Sequence, residues 1–122
     1  MLLQDFYTVQ QVDTLSQGKY KVGIYLNDKH PIFKGHFPGN PVTPGVCMLQ
    51  IIKEQVQLIT GTKLILKSAA NVKFMALINP ERTPDLRLEL DIVAFDDEVK
   101  IKNTTYFDAT VALKLSCIYK KV

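Results

Sequence analysis

Nothing in the chain approaches the ~20 consecutive apolar residues that a membrane span needs, and the amino terminus, MLLQDFYTVQ, lacks the basic segment and long apolar run of a secretory signal. The expected setting is the cytoplasm, with no membrane span. Cysteine is scarce. Cys47 and Cys117 lie far apart in apolar surroundings and match neither a metal-ligand spacing nor a disulfide framework. Buried free thiols are expected, and no metal site. Clustered charge is missing as well: a net charge of +3, spread along the chain, is too mild for a nucleic-acid surface but suits an acidic protein partner. With no linker, repeat or low-complexity segment, the 122 residues read as one domain, 1–122.

Proline and glycine, by contrast, are concentrated in one place. The loop from Lys29 to Pro44 holds Pro31, Pro38, Pro41 and Pro44 with Gly35 and Gly39, a composition that stiffens and shapes the backbone. So long a loop with no regular element of its own is expected to be functional. A helix follows, with Thr43 as candidate N-cap, Pro44 in the first turn and Gly61 as C-cap. Val46, Leu49, Ile52, Val56 and Ile59 recur at helical spacing, and Met48, Ile51 and Leu58 widen the apolar face, so the helix is expected to be mostly buried.

Strand patterns surround this helix. Leu3 to Val12 fits a short strand or a helical turn, and periodicity does not separate the two. Lys19 to Leu26 alternates polar and apolar after a turn at Ser16-Gln17-Gly18. Beyond Gly61, strand-like composition fills Leu64 to Ile78, Leu86 to Ala94, Val99 to Thr105 and Ala109 to Tyr119, broken at Pro80 to Pro84 and by a turn at Asp96-Asp97. The expected class is α+β, one long helix against an antiparallel sheet.

Three features converge on Phe33 to Gln50. His36, the side chain that most readily changes protonation near neutral pH, sits between Gly35 and Phe37-Pro38-Gly39. The N–H groups of Gly45 and Val46, at the positive end of the helix, have no intrahelical partners and suit a developing oxyanion. Gln50 and Glu54 stand one turn apart on one side of the helix, where polar groups need partners or a polar cavity.

The run GHFPGNPVTPGV, Gly35 to Val46, closely resembles the histidine loop and helix start of the FabZ-type 3-hydroxyacyl-acyl-carrier-protein dehydratases, enzymes of fatty acid biosynthesis with the hot-dog fold. The resemblance implies a sheet wrapped around one central helix and a homodimer or larger assembly, or a heterodimer, joined edge to edge. It implies an acyl chain carried on phosphopantetheine, by acyl carrier protein or coenzyme A, with no other cofactor. His36 would take the proton next to the thioester carbonyl, the Gly45 N–H would support the carbonyl oxygen with Val46 beside it, and Phe33 and Phe37 would pack the loop or line the acyl channel.

The family's active sites lie at the dimer interface, and its catalytic glutamate, supplied by the partner's helix, falls at Gln50, while a glutamine common in the family falls at Glu54. An amide cannot donate a carboxyl proton, and loss of a general acid costs about 10²–10⁴ in rate. The expected acid is therefore Glu54, or an ordered water positioned by Gln50. Two other readings stand beside the enzyme: a catalytically weak carrier-binding subunit that pairs with an active dehydratase, and a thioesterase in which Glu54 activates water. Elsewhere His30 reads as structural or surface, Cys47 as packing, and Met48 and Met75 as core. Lys34, Lys73, Arg82 and Arg87 are candidate contacts for an acidic carrier or its phosphate.

Overall fold

The computed structural model describes residues 4–35 and 41–122. In chain order the elements are β1 (Tyr7–Ser16), β2 (Lys19–Leu26), a 3-10 helix (Pro31–Gly35), α1 (Gly45–Thr60), β3 (Leu64–Phe74), β4 (Asp85–Phe95), β5 (Glu98–Phe107) and β6 (Thr110–Lys121). Among the described residues six strands form one sheet in the order β1-β2-β4-β5-β6-β3, with antiparallel neighbours throughout.

Strand alternation accounts for the inner face. Val22 pairs with Leu88 and Ile24 with Leu86, Leu88 with Thr105 and Leu90 with Asn103, Asn103 with Leu115 and Ile101 with Cys117. All of these side chains are buried, so the register brings four strands' inward positions into line. The two polar members satisfy each other: Thr105 Oγ1 donates to Asn103 Oδ1 at 2.9 Å, and Asn103 Nδ2 donates to the Glu89 carbonyl at 3.2 Å.

Against this face lies α1, burying Cys47, Met48, Ile51, Ile52, Gln55 and Val56. Its exposed end residues, Val46 and Leu58, are 62% and 73% accessible, so the apolar stripe is narrower than the spacing suggested. The sheet wraps the helix: Tyr7 on the β1 edge bonds Glu54, while Leu66 and Ala69 on the opposite β3 edge share a cavity wall with Gln50.

Local details correct several expectations. Thr43 does not cap the helix. Pro44 is the N-cap, with extended backbone and no side-chain bond, because the Thr43 N–H is drawn to the Ile78 carbonyl at 2.8 Å, which leaves its Oγ1 buried without a partner. The Lys29–Pro44 loop does contain a regular element, the 3-10 helix Pro31–Gly35; proline is well placed in a first turn, and its fixed φ suits one. Met75 is not core but 57% exposed, since it lies just past the end of the edge strand β3. The undecided segment at the amino terminus resolves as strand from Tyr7, its register pinned by pairing with β2. Gly61 does end α1, at φ 68° in the left-handed region, its N–H bonded to the Gln57 carbonyl.

Candidate active site

The first turn of α1 sets the site. Its earliest closing bonds run from the Cys47 and Met48 N–H groups to the Pro44 carbonyl, at 3.0 and 3.3 Å, so the N–H groups of Gly45 and Val46 precede the intrahelical ladder. Position 45 is tight. A Cβ there would lie 2.7 Å from Cζ of the Phe74 ring, so glycine is what lets the edge strand's last residue close over the helix start.

From this end a cavity of about 210 Å³ runs between α1 and the β6–β3 side of the sheet. Its wall is apolar through Val46, Leu49, Leu66 and Leu115, with the Gln50 amide and Lys53 as its polar members. Cys117 and Tyr119 close its floor, both pushed above their ordinary values by burial. Thiol and phenol are thereby held neutral, as suits the wall of an apolar channel.

Gln50 and Glu54 are brought together as the helical spacing predicted. Gln50 Nε2 donates to Glu54 Oε2 at 3.0 Å. The sequence did not reveal the third member: the Tyr7 hydroxyl donates to Glu54 Oε1 at 2.6 Å, and Gln55 Nε2 donates to the Tyr7 oxygen at 3.0 Å. Burial and then the Glu54 bond hold the Tyr7 phenol well above its usual range, with the Gln55 bond opposing. Among the described residues Glu54 makes no ion pair; neutral donors meet its charge instead. Tyr7 lies 47 residues from Glu54 in a strand whose periodicity was ambiguous, so no local signal pointed to it. Beyond the pair, Tyr7 and Glu54 border a second, open cavity of about 390 Å³ with Gln57 and Leu58.

The other candidates separate. His36 and Phe37 lie outside the described residues. Phe33 packs rather than lining the cavity: it is buried and stacks on Phe6 with ring centroids 5.3 Å apart. His30 is structural, its Nδ1 accepting from the Ile32 N–H at 3.1 Å, which leaves Nε2 to donate to the Gln4 carbonyl at 3.0 Å. Cys47 is fully buried, its thiol raised by burial, as packing requires. Arg87 is engaged on the outer face, stacked 4.4 Å over the Tyr106 ring and donating to the Asp108 carbonyl. Lys34, Lys73 and Arg82 are exposed and make no ion pair among the described residues. No metal-holding group of His, Cys, Asp and Glu occurs among the described residues, and none of their helices is long and apolar enough to cross a membrane.

Residues 11–112 match the family model of the ApeI dehydratases. The chain belongs to the ApeI-like dehydratase family. FabZ enzymes, named 3-hydroxyacyl-acyl-carrier-protein dehydratases, are among its relatives. That of Clostridium acetobutylicum is 33% identical over 70% of this chain and 64% of its own length. That of Acetivibrio thermocellus is 31% identical over 74% of this chain and 66% of its own length. The ApeI-like chain thus spans just under two thirds of these relatives. Its fold is the hot-dog fold: it superposes on a chain of the dehydratase heterocomplex ApeI:P from Xenorhabdus doucetiae with a TM-score of 0.76 at 19% identity, covering 93% of this chain and 96% of that one.

Proposed function

We propose that the protein interconverts 3-hydroxyacyl and 2-enoyl thioesters carried on a phosphopantetheine arm, as a dehydratase without a further cofactor, in the cytoplasm. One observation carries the reading. The Gln50 amide, bonded to Glu54 beside it, interrupts an apolar slot that begins at the N–H end of α1, where a thioester carbonyl finds donors and an acyl chain finds an apolar wall.

In the dehydration direction His36 takes the proton from the carbon next to the carbonyl, and charge developing on the carbonyl oxygen is met by the Gly45 N–H. The bond from the third carbon to its hydroxyl then breaks. The leaving hydroxide takes a proton from a water that Gln50 positions, since Glu54 accepts at both of its oxygens, and one water departs. Net proton balance is kept when His36 returns its proton through solvent.

A second chain completes the assembly. Strand β3 is an edge strand, and Ile65, Leu66, Val72 and Phe74 on it are exposed, an unpaired edge that invites another sheet. The relative from Xenorhabdus doucetiae is part of a heterocomplex, which supports a partner hot-dog chain, alike or different. The amide at position 50 favours a second reading, a carrier-binding subunit that leaves proton transfer to its partner.

The test is hydration of crotonyl-pantetheine by the purified protein. Turnover that His36→Ala abolishes supports the enzyme, and a separate fall of about tenfold or more in Glu54→Gln would make that carboxyl the acid in place of the water. No turnover by the protein alone, with activity regained beside a copurifying hot-dog chain, establishes the subunit reading. Release of free thiol in place of hydration would make the protein a thioesterase.

A further inference from the structure

Tyr7 has no part in the reading above, yet it holds one oxygen of Glu54, the acceptor that the Gln50 amide faces. Gln55 is buried, and its Nε2 points a hydrogen at the Tyr7 oxygen, 3.0 Å away. A phenol has one hydrogen to give. With the amide donating into the oxygen, that hydrogen goes to Glu54 Oε1 at 2.6 Å. Gln50 Nε2 occupies the other oxygen, Oε2, at 3.0 Å.

The chain of donors is therefore directional, from Gln55 to Tyr7 to Glu54, with Gln50 donating to Glu54 from the other side. Glu54 accepts at both oxygens, so the Gln50 amide is obliged to turn its N–H arm toward the carboxylate. Its carbonyl oxygen, the other arm of the same planar group, faces away from Glu54, and Gln50 lines the apolar cavity with Val46, Leu49 and Leu66. An amide without such a neighbour can present either end.

We propose that Tyr7 is a positioning residue: by holding the Glu54 carboxylate in place beside Gln50, when it could otherwise swing into the open cavity it borders, it keeps the Gln50 amide turned so that the carbonyl accepts a hydrogen bond from the hydroxyl of a 3-hydroxyacyl thioester. This rests on the reading of the cavity as a 3-hydroxyacyl thioester site. It adds the element that selects the hydroxylated ligand over a saturated chain of equal length. The selection is built on β1, a strand remote in sequence from the loop and helix that carry the rest of the site.

Thermal stability alone cannot test this, because Tyr7→Phe also strips Gln55 of its acceptor. The informative quantity is the ratio of affinities for 3-hydroxybutyryl-pantetheine and butyryl-pantetheine, ligands that differ by the hydroxyl. It is measured by titration calorimetry on the full chain carrying His36→Ala to stop turnover. That background is expected to prefer the hydroxylated ligand. Tyr7→Phe should reduce the preference about fivefold, one neutral hydrogen bond's worth, while leaving butyryl affinity as it was.

Glu54→Gln should do the same, because a glutamine at 54 donates through its amide and turns the Gln50 carbonyl inward. The double variant should lose no more than either single one. Preference retained in Tyr7→Phe and Glu54→Gln overturns the positioning role and leaves the site reading standing. Absence of any preference in the background overturns both. If Tyr7→Phe does not fold, Glu54→Gln, which keeps the side chain's length and shape, decides the outcome.

Discussion

Gly45 shows how much of the site one missing methyl group controls. The Phe74 ring comes so near that a Cβ at 45 would lie 2.7 Å from its Cζ. That ring is the far end of a flexible, half-exposed side chain, so it can swing away. Gly45→Ala is therefore expected to leave the melting temperature nearly unchanged, because the displaced ring is offset by alanine's better helix propensity, about 1 kcal/mol at most. Crotonyl-pantetheine hydration should nonetheless fall at least tenfold, since the methyl and the displaced ring crowd the N–H donors. Adding Phe74→Ala to Gly45→Ala should restore part of that loss. The sequence carried Gly45 through its place after Pro44 at the helix start. It carried neither Phe74 nor Tyr7, whose partners are 29 and 47 positions away. Only the fold determines which distant ring meets which helix turn.

At the scale of elements, α1 was legible nearly to the residue, from its proline entry to its glycine exit, because capping and helical spacing are local. Its N-cap was not. Thr43 looked like the cap and is instead held by the Ile78 carbonyl through its N–H, with its hydroxyl buried and unpartnered. Replacing that hydroxyl by a methyl group removes the desolvation penalty without changing the shape. Thr43→Val is thus expected to raise the unfolding free energy by about 1 kcal/mol in urea denaturation; a true N-cap would lose a similar amount. The strands divide likewise. β2, β4, β5 and β6 alternate because one face is buried by α1, whereas β1 and β3 are edge strands with mostly exposed side chains. Their patterns were weaker because burial, the cause of alternation, is largely absent from them.

The molecule as a whole buries groups whose neutral forms it favours. Burial raises the thiols of Cys47 and Cys117 above their ordinary 9.0 and the phenols of Tyr7 and Tyr119 above 10.0. A raised folded-state value means that the native protein keeps a proton the unfolded chain gives up, so ionisation favours unfolding once pH passes the unfolded value. The melting temperature is expected to be flat up to about pH 9 and to fall progressively from there to pH 11, first with the thiols and then with the phenols. Tyr119→Phe should flatten the part above pH 10. A curve for the native chain that stays level through pH 11 would contradict this account.

By itself the sequence determined the class of fold and the central helix, because those depend on local periodicity and capping, and it marked the dense motif on which the proposed chemistry rests. It also placed Gln50 and Glu54 on one side of α1, one turn apart. The tertiary structure alone decided what that pair touches. Wrapping the sheet around the helix brings Tyr7 from one edge strand and Leu66 and Phe74 from the other to the same helix. Such a meeting depends on long-range register and on the curvature of the sheet, which no segment of the chain encodes alone.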